Sequence, residues 1–453
     1  MLNLNTRTYF TKIGFILSVA GGAVGLGNAW KFPTLTAQNG GFAFVLMYLF
    51  FTLTIGLAVF IAELALGKLS RSDLATAYEK LALSHKKTWK KAGIFMLGGI
   101  FVLSFYLMIM AWVLKYMVFS IFTLPNDITQ AQQNFDNLIS NELSISILFY
   151  IVSFFITIFI VSKGIIKGIE KLNIIVMPTL FIMLLLMLFF CFSFDGFSDA
   201  FLYIFKPDFS NFSFTSILES LGLAFFTLCL GVGCIVTYAA SLNNKTNLIQ
   251  SSLFIVLINI IISLMMGLIV FTFIFEFNAD PTQQGPGLVF VSLMSLFSNF
   301  GLLGNFLAFY FFLALFFAGI TSAVSMIEPL VFHFTSRHKL SRNKALSYIG
   351  IFVFILGLFC ILSLNNQISK YFVIFNKDFF SILDFFASNI ILPLGVFVSS
   401  IFVGFFVDIK KVYKLFRQFM SKKIFIIWLS SIRYLCPIMI IIIAYYQIFN
   451  SIK

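Results

Sequence analysis

Apolar residues run along this chain in blocks of about 20, too long and too uniform for the one-sided stripe of a soluble surface helix. Such blocks lie near 13–37, 42–68, 93–123, 143–162, 172–194, 217–241, 248–276, 304–334, 345–364, 380–407 and 425–449. Each can cross a bilayer as a helix, so the pattern predicts an all-α integral membrane fold of about eleven spans. Two blocks depart from it. In the first, Gly21, Gly22, Gly25 and Gly27 fall close together, followed by Asn28 and Lys31. Each glycine costs about 1 kcal/mol of helix propensity relative to alanine, and non-helical backbone at membrane depth survives only against protein or a wet cavity. The block therefore reads either as a helix broken around a binding site or as one whose glycines admit a close neighbour. Asn28 and Lys31 favour the site, because polar side chains inside spans are costly. The sixth block repeats the pattern at Gly231 and Gly233, after Phe225-Phe226-Thr227.

Two interrupted spans five helices apart predict two five-helix halves, 13–194 and 217–407, the second inverted relative to the first, with the site between the broken helices. The remaining segments are an N-terminal 1–12, a polar, turn-rich loop 195–216, a basic loop 408–424, and an eleventh helix with the C-terminus, 425–453. Residues 281–303 open with Pro281 and Gly285-Pro286-Gly287 and then turn amphipathic. They read as a short helical cap over an entrance, or as an ordinary loop.

Composition excludes a soluble globule: mean hydropathy is +1.02, and charged residues make up 10% against about 25% in soluble domains. The first apolar run has no cleavage site and flows into a second span, so no removable signal peptide is expected. A net charge of +13 would suggest nucleic acid in a soluble protein, but 23 of the 30 lysines and arginines sit in alternate loops, at 7–12, 68–91, 163–171, 245, 337–344 and 410–423. That distribution orients the chain in the cell membrane with its N-terminus cytoplasmic and, after an odd number of spans, its C-terminus outside. No nucleic-acid partner is implied. The five cysteines lie in apolar runs without metal-ligand spacing, against a disulfide framework. His85, His333 and His338 are scattered and read as satisfied or solvated. No nucleophile–base pair, phosphate-binding loop or ring-forming polar stripe occurs, which argues against an enzyme, an ATP-driven pump and a channel.

Certain motifs are more specific. Gly21 to Pro33 (GGAVGLGNAWKFP), Asn39-Gly40-Gly41 with Phe44, the Phe225–Leu228 run and Phe317-Ala-Gly-Ile-Thr-Ser322 resemble the neurotransmitter:sodium symporter family. Within it, the chain resembles the bacterial branch of eleven-helix amino-acid transporters with the leucine-transporter fold. The likeness covers about residues 6–449.

The resemblance implies a symporter that imports a neutral, hydrophobic amino acid with sodium, two ions being expected. It implies one sodium held by Ala23, Asn28, Thr227 and Asn259 together with the substrate carboxylate. It implies a second held by Gly21, Val24, Ala318, Thr321 and Ser322. Read on their own, Thr321 and Ser322 could equally bond their own helix's carbonyls, and Asn259 could make an interhelical hydrogen bond. The substrate pocket carried over comprises Gly22, Ala23, Leu26, Gly27, Val102, Tyr106, Phe226, Thr227, Cys229, Val232, Ser322 and Met326. In it Tyr106 and the N–H groups near Leu26 and Gly27 face the carboxylate, and the apolar side chains could equally be core. Gly25 stands where amine transporters carry an aspartate, which favours a zwitterion.

Lys31 and Asp384 correspond to the outer gate, with lysine lacking the bidentate fork of the usual arginine. Glu63 corresponds to a buried carboxylate that receives backbone freed by the break in span 6, or is simply a helix-end carboxylate. Tyr48, Thr227, Asn259 and Ser263 would surround a chloride ion, although Leu223 replaces an expected glutamine. The inner gate departs from the family: Thr6 and Ser336 take the places of arginine and aspartate, with Arg7 one residue away. That departure is the motive for the alternative of a non-transporting amino-acid sensor; a symporter for another small zwitterion is the third reading. Partners are the amino acid and membrane lipid, with the chain a monomer or homodimer.

Overall fold

The computed structural model describes residues 9–210, 212–243, 246–277, 288–374 and 377–451. Thr6, Arg7, Lys245, Asp280, Pro281, the Gly285-Pro286-Gly287 run and Lys453 lie outside them. Nine helices among the described residues are long and apolar enough to cross a bilayer. They are span 2 (Phe42–Ser70), span 3 (Lys86–Phe119), span 4 (Leu143–Ser162), span 5 (Ile165–Cys191), span 7 (Leu248–Glu276), span 8 (Leu302–Arg337), span 9 (Arg342–Leu364), span 10 (Phe379–Phe406) and span 11 (Lys422–Ile443). Span 1 is the pair Lys12–Ala23 and Gly27–Gln38, bent by 52° at its break. Span 6 is the pair Phe214–Thr227 and Cys234–Ala240. With the bent pair counted as one span, ten helices among the described residues are long and apolar enough to cross a bilayer, one fewer than the expected eleven, because each half of span 6 is short.

The breaks have local causes. Val24 leaves helical geometry for an extended conformation at φ −82°, ψ 109°. In span 6, Cys229, Gly231 and Gly233 have φ of 54°, 83° and 82°, and left-handed residues cannot continue a right-handed helix. Gly231 also has span 10 against it: a methyl there would lie 2.6 Å from the Leu392 carbonyl oxygen.

Spans 3 and 8 form the centre. In their most apolar stretches 78% and 72% of residues are buried, against 33% in span 4 and 39% in span 5. Exposed Phe155, Phe159, Ile182, Leu186 and Phe189 give spans 4 and 5 an apolar outer face, as lipid contact requires.

The segment 195–216 is less irregular than its composition implies. Gly196–Phe205 is helical, with Gly196, Ala200 and Ile204 buried, and it packs on span 7. Glu276 Oε2 accepts its Gly196 N–H at 2.7 Å. The stripe Phe197, Ala200, Phe201, Ile204 has helical spacing, masked in sequence by Asp195, Ser198 and Asp199. A second helix, Ile128–Ser140, links spans 3 and 4 and is capped by Asp127. In the region read as a cap, Leu288–Ser298 is helical. Its Phe290 stacks on Phe135 at 5.4 Å and meets Trp112 edge-on at 6.0 Å.

Candidate ion and substrate site

The break in span 1 turns backbone oxygens toward span 8. The Ser322 hydroxyl donates to the carbonyls of Gly21 and Val24, both at 3.0 Å. Thr321, one residue earlier, donates to the Ala318 carbonyl at 3.0 Å and the Phe317 carbonyl at 3.1 Å. Thr321 thus makes the back-bond that its own helix offers, whereas Ser322 reaches across to span 1. Three backbone carbonyls and two hydroxyls from two spans gather here, a neutral, oxygen-rich donor set of the kind hard cations select.

A second polar cluster lies where spans 1, 2, 6 and 7 meet. Asn28 Nδ2 donates to Asn259 Oδ1 and to Ser263 Oγ, both at 2.7 Å, while Asn28 Oδ1 accepts the Gly25 N–H at 3.0 Å. The Tyr48 hydroxyl lies 3.1 Å from both Thr227 Oγ1 and Ser263 Oγ, and Asn259 Nδ2 donates to it at 3.1 Å. All five side chains are buried, so the network must satisfy itself or a small ion. Its carboxamide and hydroxyl oxygens suit a cation; its hydroxyl and amide donors suit an anion. Ala23 is the last residue of the first half-helix beside it, and Leu223 is buried on span 6.

Between the clusters, Tyr106 Oη accepts the Leu26 N–H at 3.0 Å. A methyl on Gly25 would lie 2.5 Å from Ser322 Oγ and 2.7 Å from Tyr106 Oη; in this packing, position 25 has no room for a side chain. Leu26, Gly27, Tyr106 and Phe226 line a hollow of about 10 Å³ together with Trp30, Lys31, Phe105 and Ile109, enough for about one water. Phe105 and Ile109 are not distinguished from core in the sequence, and Trp30 enters there only as part of the GGAVGLGNAWKFP motif. Cys229, Val232, Val102 and Met326, expected in the same pocket, are buried but do not line this hollow; Val232 packs on Gly98 and the Met326 carbonyl on Gly99. Gly22 faces Ser325. An open groove of about 600 Å³ is lined by spans 4 and 9 only, neither of them broken.

Glu63, fully buried in span 2, accepts the Gly231 N–H at 2.9 Å and the Ser399 hydroxyl at 3.4 Å. It meets the backbone that the break in span 6 releases. At one end of the central helices, Lys31 Nζ lies 3.2 Å from Asp384 Oδ1 and 4.2 Å above the Phe226 ring. Ser388, not foreseen, donates to the same Asp384 oxygen at 2.8 Å.

At the other end Ser336 donates to Asp73 Oδ2 at 3.4 Å, and His333 Nδ1 lies 2.7 Å from Asp73 Oδ1. Burial raises the Asp73 carboxyl, but hydrogen bonds from His333 and Thr76 outweigh it and hold it below its ordinary 3.8. Arg337 pairs with Glu79 at 3.0 Å. Arg71 and Lys68 donate to carbonyls at the end of span 6, Lys68 to Leu242 at 3.1 Å. Phe10 packs edge-on against Tyr238 at 5.7 Å. The five cysteines are buried and free.

The model of the sodium:neurotransmitter symporter family matches residues 6–147 and 139–453. The chain belongs to that family. It is 33% identical over 438 residues to the uncharacterized sodium-dependent transporter YhdH of Bacillus subtilis, covering 96% of each chain. An uncharacterized sodium-dependent transporter of Haemophilus influenzae is 30% identical over 457 residues, with 99% of each covered. The crystal structure of MhsT in complex with L-phenylalanine superposes with a TM-score of 0.88 at 31% identity, covering 96% of this chain and 98% of that one. As a family member the chain is a multi-pass membrane transporter that uses sodium, and not an enzyme.

Proposed function

We propose that the chain imports a neutral, hydrophobic amino acid with two sodium ions by alternating access. One ion sits on the Gly21, Val24 and Ala318 carbonyls with Thr321 and Ser322. The other uses Ala23, Asn28, Thr227 and Asn259 with the substrate carboxylate as a further ligand, so that neither ion nor amino acid fills its place well alone. The carboxylate is received by the Leu26 N–H and the Tyr106 hydroxyl at the start of the second half-helix. The observation that carries this reading is the pair of 3.0 Å hydrogen bonds from Ser322 to Gly21 and Val24: an ion can take over the oxygens that this hydroxyl now bridges.

A zwitterion is favoured because Gly25 leaves no carboxylate for a lone amine, and an apolar side chain is favoured by Val102, Phe226, Cys229, Val232 and Met326. The L-phenylalanine bound by MhsT supports the same class. Ser263 with Tyr48 would admit chloride as an auxiliary ion. The basic loops orient the N-terminus toward the cytoplasm, which makes Lys31 and Asp384 the outer gate and the Asp73 cluster the inner latch.

Two charges moving through 100 mV release about 4.6 kcal/mol. At about 1.4 kcal/mol per tenfold, that sustains a concentration ratio of roughly 2000. The test is uptake of labelled amino acids into sealed vesicles. Apolar amino acids should accumulate with an inward sodium gradient and not with potassium, and replacing chloride by gluconate reads the auxiliary ion. Binding without accumulation would make the chain a sensor instead.

A further inference from the structure

Span 5 contributes one polar group that neither cluster accounts for. Asn173 is fully buried, and its Nδ2 donates to the Ile169 carbonyl at 2.8 Å one turn back. That bond orients the carboxamide and leaves Oδ1 without a donor. The unpaired oxygen rests against span 1 at Gly21: a methyl built on Gly21 would meet it at 1.9 Å and would lie 3.1 Å from Thr321 Cβ. Gly21 offers its carbonyl to Ser322, and Thr321 sits at the facing turn of span 8. Asn173 Oδ1 therefore lies in the layer where spans 1, 5 and 8 pack together, against Gly21, whose carbonyl is one of the oxygens assigned to the second ion.

The placement is enforced from below. Glu170, three residues earlier and on the same face of the helix, accepts the Thr11 N–H at 3.0 Å and its hydroxyl at 2.7 Å. Span 5 is thereby clamped to the start of span 1, which holds Asn173 opposite Gly21. Leaving a buried carboxamide oxygen unpaired costs the desolvation of that oxygen with nothing in return, and a leucine of similar volume would avoid that cost. A cation bound at this layer would remove it.

We propose that Asn173 Oδ1 is a further ligand of the sodium ion held between spans 1 and 8, supplied from span 5. This rests on the second-ion reading given above. A neutral oxygen adds coordination without adding charge, so it tightens the site without trapping the ion.

The test is equilibrium binding of radioactive sodium to the purified full-length protein, with thermal unfolding recorded for each variant. Asn173→Leu keeps the volume and removes the oxygen; it should weaken sodium binding about tenfold. Asn173→Asp keeps an oxygen in place and should bind sodium at least as tightly as the parent. Ser322→Ala reports on the second-ion site itself and should also weaken binding. If Asn173→Leu binds like the parent while Ser322→Ala is impaired, Asn173 is a packing residue and the inference falls alone. If neither change alters sodium binding, the second-ion reading falls and takes the inference with it. Should Asn173→Leu fail to fold, Asn173→Ala replaces it: unchanged sodium affinity in that variant overturns the proposal, and a tenfold loss supports it.

Discussion

The two ends of the central helices are held together by different chemistry. At the Lys31 end, one ion pair of 3.2 Å, with side chains 19% and 32% exposed, spans the gap and is steadied by Ser388. At the Asp73 end, a carboxylate only 1% exposed is shared by His333, Ser336 and the first turn of Leu74–Leu81. Around it, Arg71 and Lys68 hold backbone carbonyls of span 6. Half-exposed pairs are worth little because water competes for both partners, whereas removing one member of a buried network strands the others. As the proposed outer gate the first contact would reverse readily, and as the proposed inner latch the second would have to be dismantled piece by piece.

The sharpest challenge to this contrast is Asp73→Ala. It should remove a helix cap worth about 1 kcal/mol and a charge-assisted hydrogen bond worth about 1.5–3 kcal/mol. Amide exchange over Leu74–Leu81, the helix that Asp73 caps, should rise at least tenfold; unchanged exchange would mean that the latch lies elsewhere. Asp384→Asn should matter less, about 1 kcal/mol or under, read as a change of at most about fivefold in the KM for the amino acid. A larger loss than that of Asp73→Ala would invert the comparison. Lys31→Arg should move the other way by a few tenths of a kcal/mol, because the guanidinium fork can hold Asp384 and Ser388 together; slower release of pre-bound labelled amino acid would record it.

The smallest expected effect is that of pH. Since Asp73 is held below its ordinary 3.8, its contribution to stability is complete above that value and fades only as pH falls through the lowered one. The difference in Tm between the parent and Asp73→Asn should accordingly stay constant from neutral pH down to about 4 and shrink below it. A difference that shrinks well above pH 4 would show that Asp73 is not the group responsible.

The Lys31 end was legible in the sequence and the Asp73 end was not, for a physical reason. A lysine or an asparagine inside an apolar run is conspicuous because burial there is expensive, so Asn28 and Lys31 stand out in the sequence itself, whereas Asn259, Thr227 and Asp384 are picked out only by the family resemblance. Asp73 and His333 lie outside or at the edge of such runs, where charged residues are ordinary, and 260 positions separate them. Ser336 was noticed only as a departure from a family pattern, and its actual partner was not readable. The breaks were announced by glycine density, but the left-handed turn at Cys229 was not, since nothing in a lone cysteine marks positive φ. Asn173 escaped notice because an asparagine early in a long span resembles any capping or loop residue until its neighbours are known. The helices Gly196–Phe205 and Ile128–Ser140 were hidden by acidic and amide residues on their wet faces.

The Phe226 ring, lying directly beneath the ammonium of Lys31, would link the size of the cargo to the fate of the lid if the proposed pocket and outer gate are right. A guest too long to let that ring lie down would lift the ammonium off Asp384 and jam the entrance ajar. Ring-extended analogues of the transported compound should therefore act as wedges, competing for entry while never being carried across.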